Sequence, residues 1–449
     1  MMVNEIARFI ATADVPEDIQ ALGRPLIADC FGCILAGATG EAATLVSTVQ
    51  ASLSPGKAPL YGTDIRLTAP AAALANGVAA HLWDLDDWEE PGNTHPTAVI
   101  LPALLAAAAA EHDEGRPVSG SQILAAYAIG TEMIMRLGEA ISLSHYARGF
   151  HSTATLGTIG AAAAVARLLG LDPEKAGHAL GLSVSGASGY TVQFGTHAKS
   201  MQVGLAARAG LEAALHASNG VTSNPETLLS DRGFAGLMGV HDGSLQARTL
   251  AKLGRPWGLQ SWGVVVKPWP SCGYTHRIMT AALDLRDRVR DRLDAITAIR
   301  AVTIDFHYAI LPFHQPGSRL EALFSLPACT AQMLCNGGLT LADSANGFWQ
   351  DDRIRGLVAL TRVTAEPARN PDLNYDPDQP DRLSIDLADG GVVETAIAYP
   401  LGAPQRPMTT DQLAAKFHAV TGRDAGLFRH LLGFGDSTDI FTFFGEAAA

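Results

Sequence analysis

At 449 residues the chain is too long for one ordinary domain, and 47% hydrophobic against 17% charged residues, with 45 glycines, exclude a disordered chain and predict two units around a large buried core. A net charge of -13, from 45 acidic and 32 basic residues without a basic tract, excludes nucleic acid and anionic membrane as natural partners. A small anionic substrate is compatible with that charge only if the chain builds a locally positive site.

The N-terminal stretch carries acids and lacks the charged and apolar regions of a signal peptide, so a cytoplasmic location is expected. The longest apolar run, Thr97 to Ala110, is interrupted by Pro102 and falls short of the roughly 20 residues of a membrane span. The lean charged fraction also predicts that a second copy covers part of the surface, giving a homodimer. Five cysteines, Cys30, Cys33, Cys272, Cys329 and Cys335, form an odd set without paired metal-ligand spacing, which fits a reducing compartment and predicts no metal site. Cys30 and Cys33 lie inside an apolar helical pattern and read as packing residues.

From residue 3 to about 255 the pattern is helix after helix. Apolar residues at helical spacing run from Glu17 to Leu35 and stop at Gly37. Further helices are predicted over 69–82, 97–113, 119–142, 155–169, 172–185, 200–219 and 244–253, closed by Gly, Asp-Pro or Asn-Gly. After Trp262 the texture changes. The stretch from Ala295 to Ile310 predicts a strand, a short helix follows over 325–336, and strands are predicted at 362–368, 382–388 and 392–399, the last two forming a hairpin around Asp389-Gly390-Gly391. The segment from Thr409 to Gly422 returns to helix. The fold class is therefore mainly α with a smaller α+β domain: residues 1–262 plus 402–449 form a large all-helical domain, and 263–401 an α+β lid.

Four segments carry chemistry. In the first, Asp84, Asp86, Asp87 and His95 are pressed between two apolar helices, where an acid becomes paired or gains proton affinity. The plainer alternative is a loop that caps the helix at Pro96. The second places His145, Tyr146, Arg148 and His151 before a small-residue helix that opens with Ser152, Thr153 and Thr155, and a helix start offers unpaired N–H groups to an anion. Those hydroxyls serve equally well as simple caps.

Lysine is informative because it is scarce: only Lys57, Lys175, Lys199, Lys252, Lys267 and Lys416 occur. Lys199 opens an apolar helix, and Lys267 follows three valines. A buried ammonium needs a negative partner, either a substrate carboxylate or an aspartate of the first segment, whereas a snorkelling surface lysine needs none. The last segment adds Cys272, Tyr274 and His276, and the strand after it supplies Tyr308; any of these can hydrogen-bond a carboxylate or donate a proton. The chain has no dinucleotide glycine motif, P-loop, G-x-S-x-G elbow or HExxH.

Taken in order, Asp84-Leu-Asp-Asp with His95-Pro96, Gly149-Phe-His-Ser-Thr-Ala-Thr, Gly195-Thr196 with Lys199-Ser-Met-Gln-Val-Gly, and Lys267-Pro-Trp-Pro-Ser-Cys with Tyr274-Thr-His resemble the MmgE/PrpD family over nearly the whole chain. The resemblance implies a helical domain capped by an α+β lid, a dimer, an active site between the domains, and no metal or organic cofactor. It also implies Asp84, His95, His151, Lys199, Lys267 and Tyr308 as catalytic residues. Trp88 stands where the family often has threonine, and Gly273 where a bulkier residue is common, so the pocket is expected to be reshaped. Trp88, Tyr146, Thr153, Cys272 and His276 are expected to touch substrate, a small polycarboxylate.

The expected mechanism has Lys199 and Lys267 binding carboxylates and stabilising an enolate-like transition state, while His95 or His151 takes a proton beside a carboxylate and Asp84 orients the histidine. Loss of a β-hydroxyl makes a hydro-lyase, ranked first. Reprotonation makes an epimerase of an amino- or imino-dicarboxylate, and loss of carbon dioxide a decarboxylase. A non-catalytic carboxylate-binding protein is the rival from another class.

Overall fold

The computed structural model describes residues 2–141, 143–239, 243–371 and 373–449. The chain divides into a first unit, Met1–Leu82, Asp86–Val264 and Thr410–Ala449, and a second, Trp83–Leu85 with Val265–Thr409.

The first unit contains α1 (Met2–Thr12), α2 (Glu17–Gly37), α3 (Glu41–Leu53), α4 (Ala69–His81), α5 (Pro96–Asp113), α6 (Gly120–Ile141), α7 (Ser144–Ala147), α8 (Ser152–Leu168), α9 (Pro173–Val184) and α10 (Ala198–Ser218), followed by shorter helices and the C-terminal segment Thr410–Thr421. The 244–253 pattern becomes Gly243–Leu250, and the predicted end at Ser142 lies outside the described residues. The unit is not all-helical as expected. Pro55–Pro59 (β1) pairs antiparallel with Arg66–Leu67 (β2), because prolines at 55 and 59 and the turn at Gly62 break the helical periodicity there.

Helices α4, α5 and α8 are apolar on every side and are buried on nearly every residue, as expected of helices inside a core. By length and composition α2 could cross a membrane, yet most of it is buried within the unit, and its Asp29 carboxylate is paired with Lys416 at 2.7 Å. Glycines set one crossing that matters for the site. A Cβ at Gly77 of α4 would stand 2.8 Å from Gly204 Cα of α10, and one at Gly204 would stand 2.3 Å from Leu74 O. The two backbones touch there, which brings the C-terminal end of α4 to the N-terminal turn of α10.

In the second unit a four-stranded sheet has the order β4-β3-β5-β6, with β3 Ile296–Ile304, β4 Thr361–Glu366, β5 Asp381–Leu387 and β6 Val392–Ile397. β3 runs parallel to β4 and antiparallel to β5, and β5–β6 is the expected hairpin. Leu383, Ile385 and Leu387 alternate inward along β5, and the helix His276–Val289 packs against β5 and β6. The strand expected through Ile310 stops at Ile304; Asp305–Ala309 is a single helical turn, so Tyr308 sits on a helix.

Candidate active site

The polar cluster of the helical unit is assembled at helix ends. His81 is the last residue of α4, His95 and His151 are the N-caps of α5 and α8, and Lys199 lies in the first turn of α10. Burial is deep: His81, His151 and Asp86 are at most 2% exposed and Lys199 only 8%.

His81 joins the group. Its Nδ1 lies 2.7 Å from Asp86 Oδ2, and its Nε2 lies 2.8 Å from Lys199 Nζ. A carboxylate only accepts and an ammonium only donates, so His81 donates from Nδ1 and accepts at Nε2 as a neutral imidazole. His95 Nδ1 stands 3.1 Å from the same Asp86 oxygen, with the two rings edge-on at 4.5 Å. Burial alone would push Asp86 up, but the His81 and His95 imidazoles hold it well below the usual carboxylate range.

His151 forms the other wall. Its Nδ1 is 2.7 Å from Gln202 Oε1, an acceptor that also takes the Tyr190 N–H at 3.2 Å. The ring therefore carries its proton on Nδ1 and presents a lone pair at Nε2. Burial, reinforced by the Lys199 ammonium, pushes His151 well below the ordinary histidine range, so it is an unprotonated base at neutral pH. Phe194 packs edge-on to His151 at 5.0 Å and lies under the Lys199 ammonium at 5.4 Å. The Thr153 hydroxyl accepts the His95 backbone N–H at 3.1 Å, tying the starts of α5 and α8 together.

Behind this layer, burial, with repulsion from Asp86 and Asp29, pushes Asp87 up to about 8, against hydrogen bonds from Thr97 that work the other way. Thr97 Oγ1 in turn meets the Tyr127 hydroxyl at 2.7 Å. Glu89 accepts from Gly92 N–H and from both the N–H and hydroxyl of Thr94. His145 is a packing residue: Nδ1 donates to Met238 O, Nε2 accepts from Thr155, and the ring stacks on Phe150 at 4.7 Å.

In the α+β unit Lys267 is fully buried and lies 2.5 Å from Asp84 Oδ1 and 3.1 Å from Asp84 O. Asp84 reaches this position with φ of 53°, a left-handed conformation uncommon outside glycine. His276 is buried beside the Ser271 hydroxyl at 3.1 Å, Cys272 is buried, and Tyr308 is half-buried.

The structure thus brings His95, His151, Lys199 and Thr153 together, and buries Trp88 and Tyr146 in the same unit. The carboxylate beside His95 in the helical unit is Asp86, and Asp84, expected to orient the histidine, is ion-paired with Lys267. His81, Asp86 and Gln202 escaped assignment. The signal available for His81 was a single histidine closing an otherwise apolar helix just before an acidic loop. His81, Asp86 and His95 are ligand types a metal accepts, and in this structure His81 spends both nitrogens on hydrogen bonds, to Asp86 and to Lys199.

Comparison with known proteins places this geometry in context. Residues 4–244 match the MmgE/PrpD N-terminal domain and residues 269–426 the MmgE/PrpD C-terminal domain. The chain is 28% identical over 435 residues to the cis-aconitate decarboxylase of Homo sapiens, covering 93% of this chain and 88% of that protein. It is 26% identical over 433 residues to the cis-aconitate decarboxylase of Aspergillus terreus, with 92% and 87% covered. The Mus musculus cis-aconitate decarboxylase is 29% identical over 366 residues, 79% of this chain and 72% of that one.

Proposed function

The chain belongs to the MmgE/PrpD family, and from that premise we propose that it is a lyase acting on a small tricarboxylic acid, with decarboxylation of a cis-aconitate-like substrate as its reaction. The observation that carries this reading is the convergence of a nearly buried ammonium, Lys199, with two imidazoles, His95 and His151, in one dry cluster. The names of the relatives move decarboxylation ahead of the dehydration ranked first from sequence.

The chemistry asks for these groups. In an unsaturated tricarboxylate, the bond to the departing carboxylate breaks and carbon dioxide leaves. Its electron pair shifts the double bond, and negative charge arises on a carbon beside a second carboxylate. Lys199 pairs with that carboxylate as charge develops, in surroundings where a fixed cation acts strongly. A histidine then delivers a proton to the carbon. His95, beside the Asp86 carboxylate that stabilises its charged form, is that donor; His151, neutral with Nε2 available, takes no proton in decarboxylation and is the acceptor where a substrate proton must be removed. Run on a β-hydroxy tricarboxylate, the same groups support dehydration, with His151 removing the α-proton.

The test is incubation in deuterated water with cis-aconitate, citrate and 2-methylcitrate, followed by proton NMR and carbon dioxide release. One deuterium in a five-carbon unsaturated diacid supports decarboxylation. A new alkene from a hydroxy acid, without carbon dioxide, supports dehydration. No change with any acid, together with unaltered tricarboxylate binding by Lys199→Ala, refutes the lyase reading.

A further inference from the structure

Lys199, His81, Asp86 and His95 form one continuous line of contacts inside the helical unit: 2.8 Å from Lys199 Nζ to His81 Nε2, 2.7 Å from His81 Nδ1 to Asp86 Oδ2, and 3.1 Å from that oxygen to His95 Nδ1. The side chains of His81 and Asp86 are wholly buried, so water does not supply alternative partners. Asp86 Oδ2 is hydrogen-bonded to His81 Nδ1 and lies 3.1 Å from His95 Nδ1, an ion-pair contact without hydrogen-bond alignment, while Asp86 Oδ1 has no hydrogen-bond partner among the described residues. Within the helical unit, the groups facing Asp86 include His81 from α4 and His95 from the start of α5, with Asp87 on its own loop and Asp29 on α2.

We propose that His81 and Asp86 are positioning residues that join Lys199 and His95 into a single proton-sharing chain. The inference rests on the lyase reading for its consequence in catalysis, although the chain itself is a property of the unliganded protein. Asp86 holds the His81 proton on Nδ1. That leaves a lone pair on Nε2, and this lone pair fixes the direction of the Lys199 ammonium. The same oxygen steadies His95 through Nδ1 and leaves His95 Nε2 as the nitrogen that meets substrate. When His95 is protonated, its attraction to Asp86 grows and competes with the His81 bond, so loading the proton donor loosens Lys199; delivering the proton restores it. The substrate-binding cation and the proton donor are thereby coupled without touching each other.

Replacing Asp86 with asparagine removes the negative charge that holds the His81 proton on Nδ1, even where the amide oxygen takes the place of Oδ2. His81→Leu removes an acceptor of Lys199, whereas His81→Gln keeps an amide oxygen able to accept from it and an amide N–H able to donate to Asp86. The test uses the full chain labelled with 15N-histidine, without ligand, at neutral pH, with His81→Gln identifying the His81 signals by their loss. The expected result is a His81 protonated at Nδ1 and bare at Nε2, and a shift away from that tautomer in Asp86→Asn. On substrate, Asp86→Asn and His81→Leu lose about 100-fold or more in kcat, the scale of a misplaced acid–base group, with KM changed only a few-fold. His81→Gln recovers at least tenfold over His81→Leu.

A wild-type His81 protonated at Nε2, or an Asp86→Asn variant with kcat within threefold of wild type, overturns the proposal. The expected tautomer in a protein that turns over no tricarboxylate supports the chain and refutes the lyase reading; turnover with the opposite tautomer does the reverse.

Discussion

Gln202 offers the sharpest separation of the two histidines. Its Oε1 accepts from His151 Nδ1 at 2.7 Å and from Tyr190 N–H at 3.2 Å, and its Nε2 donates to Tyr190 O at 3.3 Å. Gln202→Leu strands the His151 donor in a fully buried setting, while Tyr190, half exposed, recovers its partners from water. One stranded buried donor costs about 1–3 kcal/mol of stability, read as a lower urea midpoint. The lost bond is also what keeps the proton on Nδ1; at about 1–2 kcal/mol, its removal lowers the share of the working tautomer, and kcat for dehydration of a β-hydroxy tricarboxylate with it, by about 5- to 30-fold. Gln202→Glu acts in the opposite sense. A carboxylate there draws a proton onto His151, so the acid limb of the pH–rate profile, which lies below the ordinary histidine range in the wild type, moves up toward neutrality. If Gln202→Leu keeps kcat within twofold and Gln202→Glu leaves the acid limb in place, His151 is not the base.

Other outcomes follow from the buried charges. Lys416→Met leaves Asp29 buried without its partner and should cost about 3–5 kcal/mol in a denaturant titration, with Asp29→Asn/Lys416→Met recovering part of the loss. Asp87, pushed up to about 8, holds a proton in the folded state that the unfolded chain releases near pH 4, so its contribution to stability falls as pH rises from about 4 to 8. Asp87→Asn should remove that slope, with a urea-midpoint advantage over wild type that grows from pH 5 to pH 8. His145, pushed down to about 4 by burial, works the other way: the unfolded chain binds its proton first as pH falls below about 6.5, so stability drops between there and pH 4, and His145→Gln should flatten that drop.

Much of the candidate site was legible because its residues sit at helix starts, which are local features. His95 before Pro96, His151 before Ser152 and Lys199 at the head of an apolar helix all stand out within a few residues of sequence. His81 did not, because a histidine at the end of an alanine-rich helix looks like any other packing residue until its partners are known. Asp84 and Asp86 are two residues apart in the same acidic run, and nothing local tells which of them meets a histidine and which a lysine. Tyr308 was placed on a strand because alternation continues past Ile304; Asp305 opens a helical turn there that period-two patterning does not signal.

By itself, then, the sequence determined the elements and their kind: helical periods through α10, the change to strands after Trp262, and polar residues at helix starts. These depend on neighbours within one or two turns. Tertiary structure decided which polar groups pair, since His81 and Lys199 are 118 residues apart, Asp84 and Lys267 are 183, and Asp29 and Lys416 are 387. The physical reason is visible at Gly77 and Gly204. Only where α4 and α10 touch backbone to backbone does the last residue of one helix come within hydrogen-bonding reach of the first turn of the other, and a contact of that kind has no local pattern in the sequence.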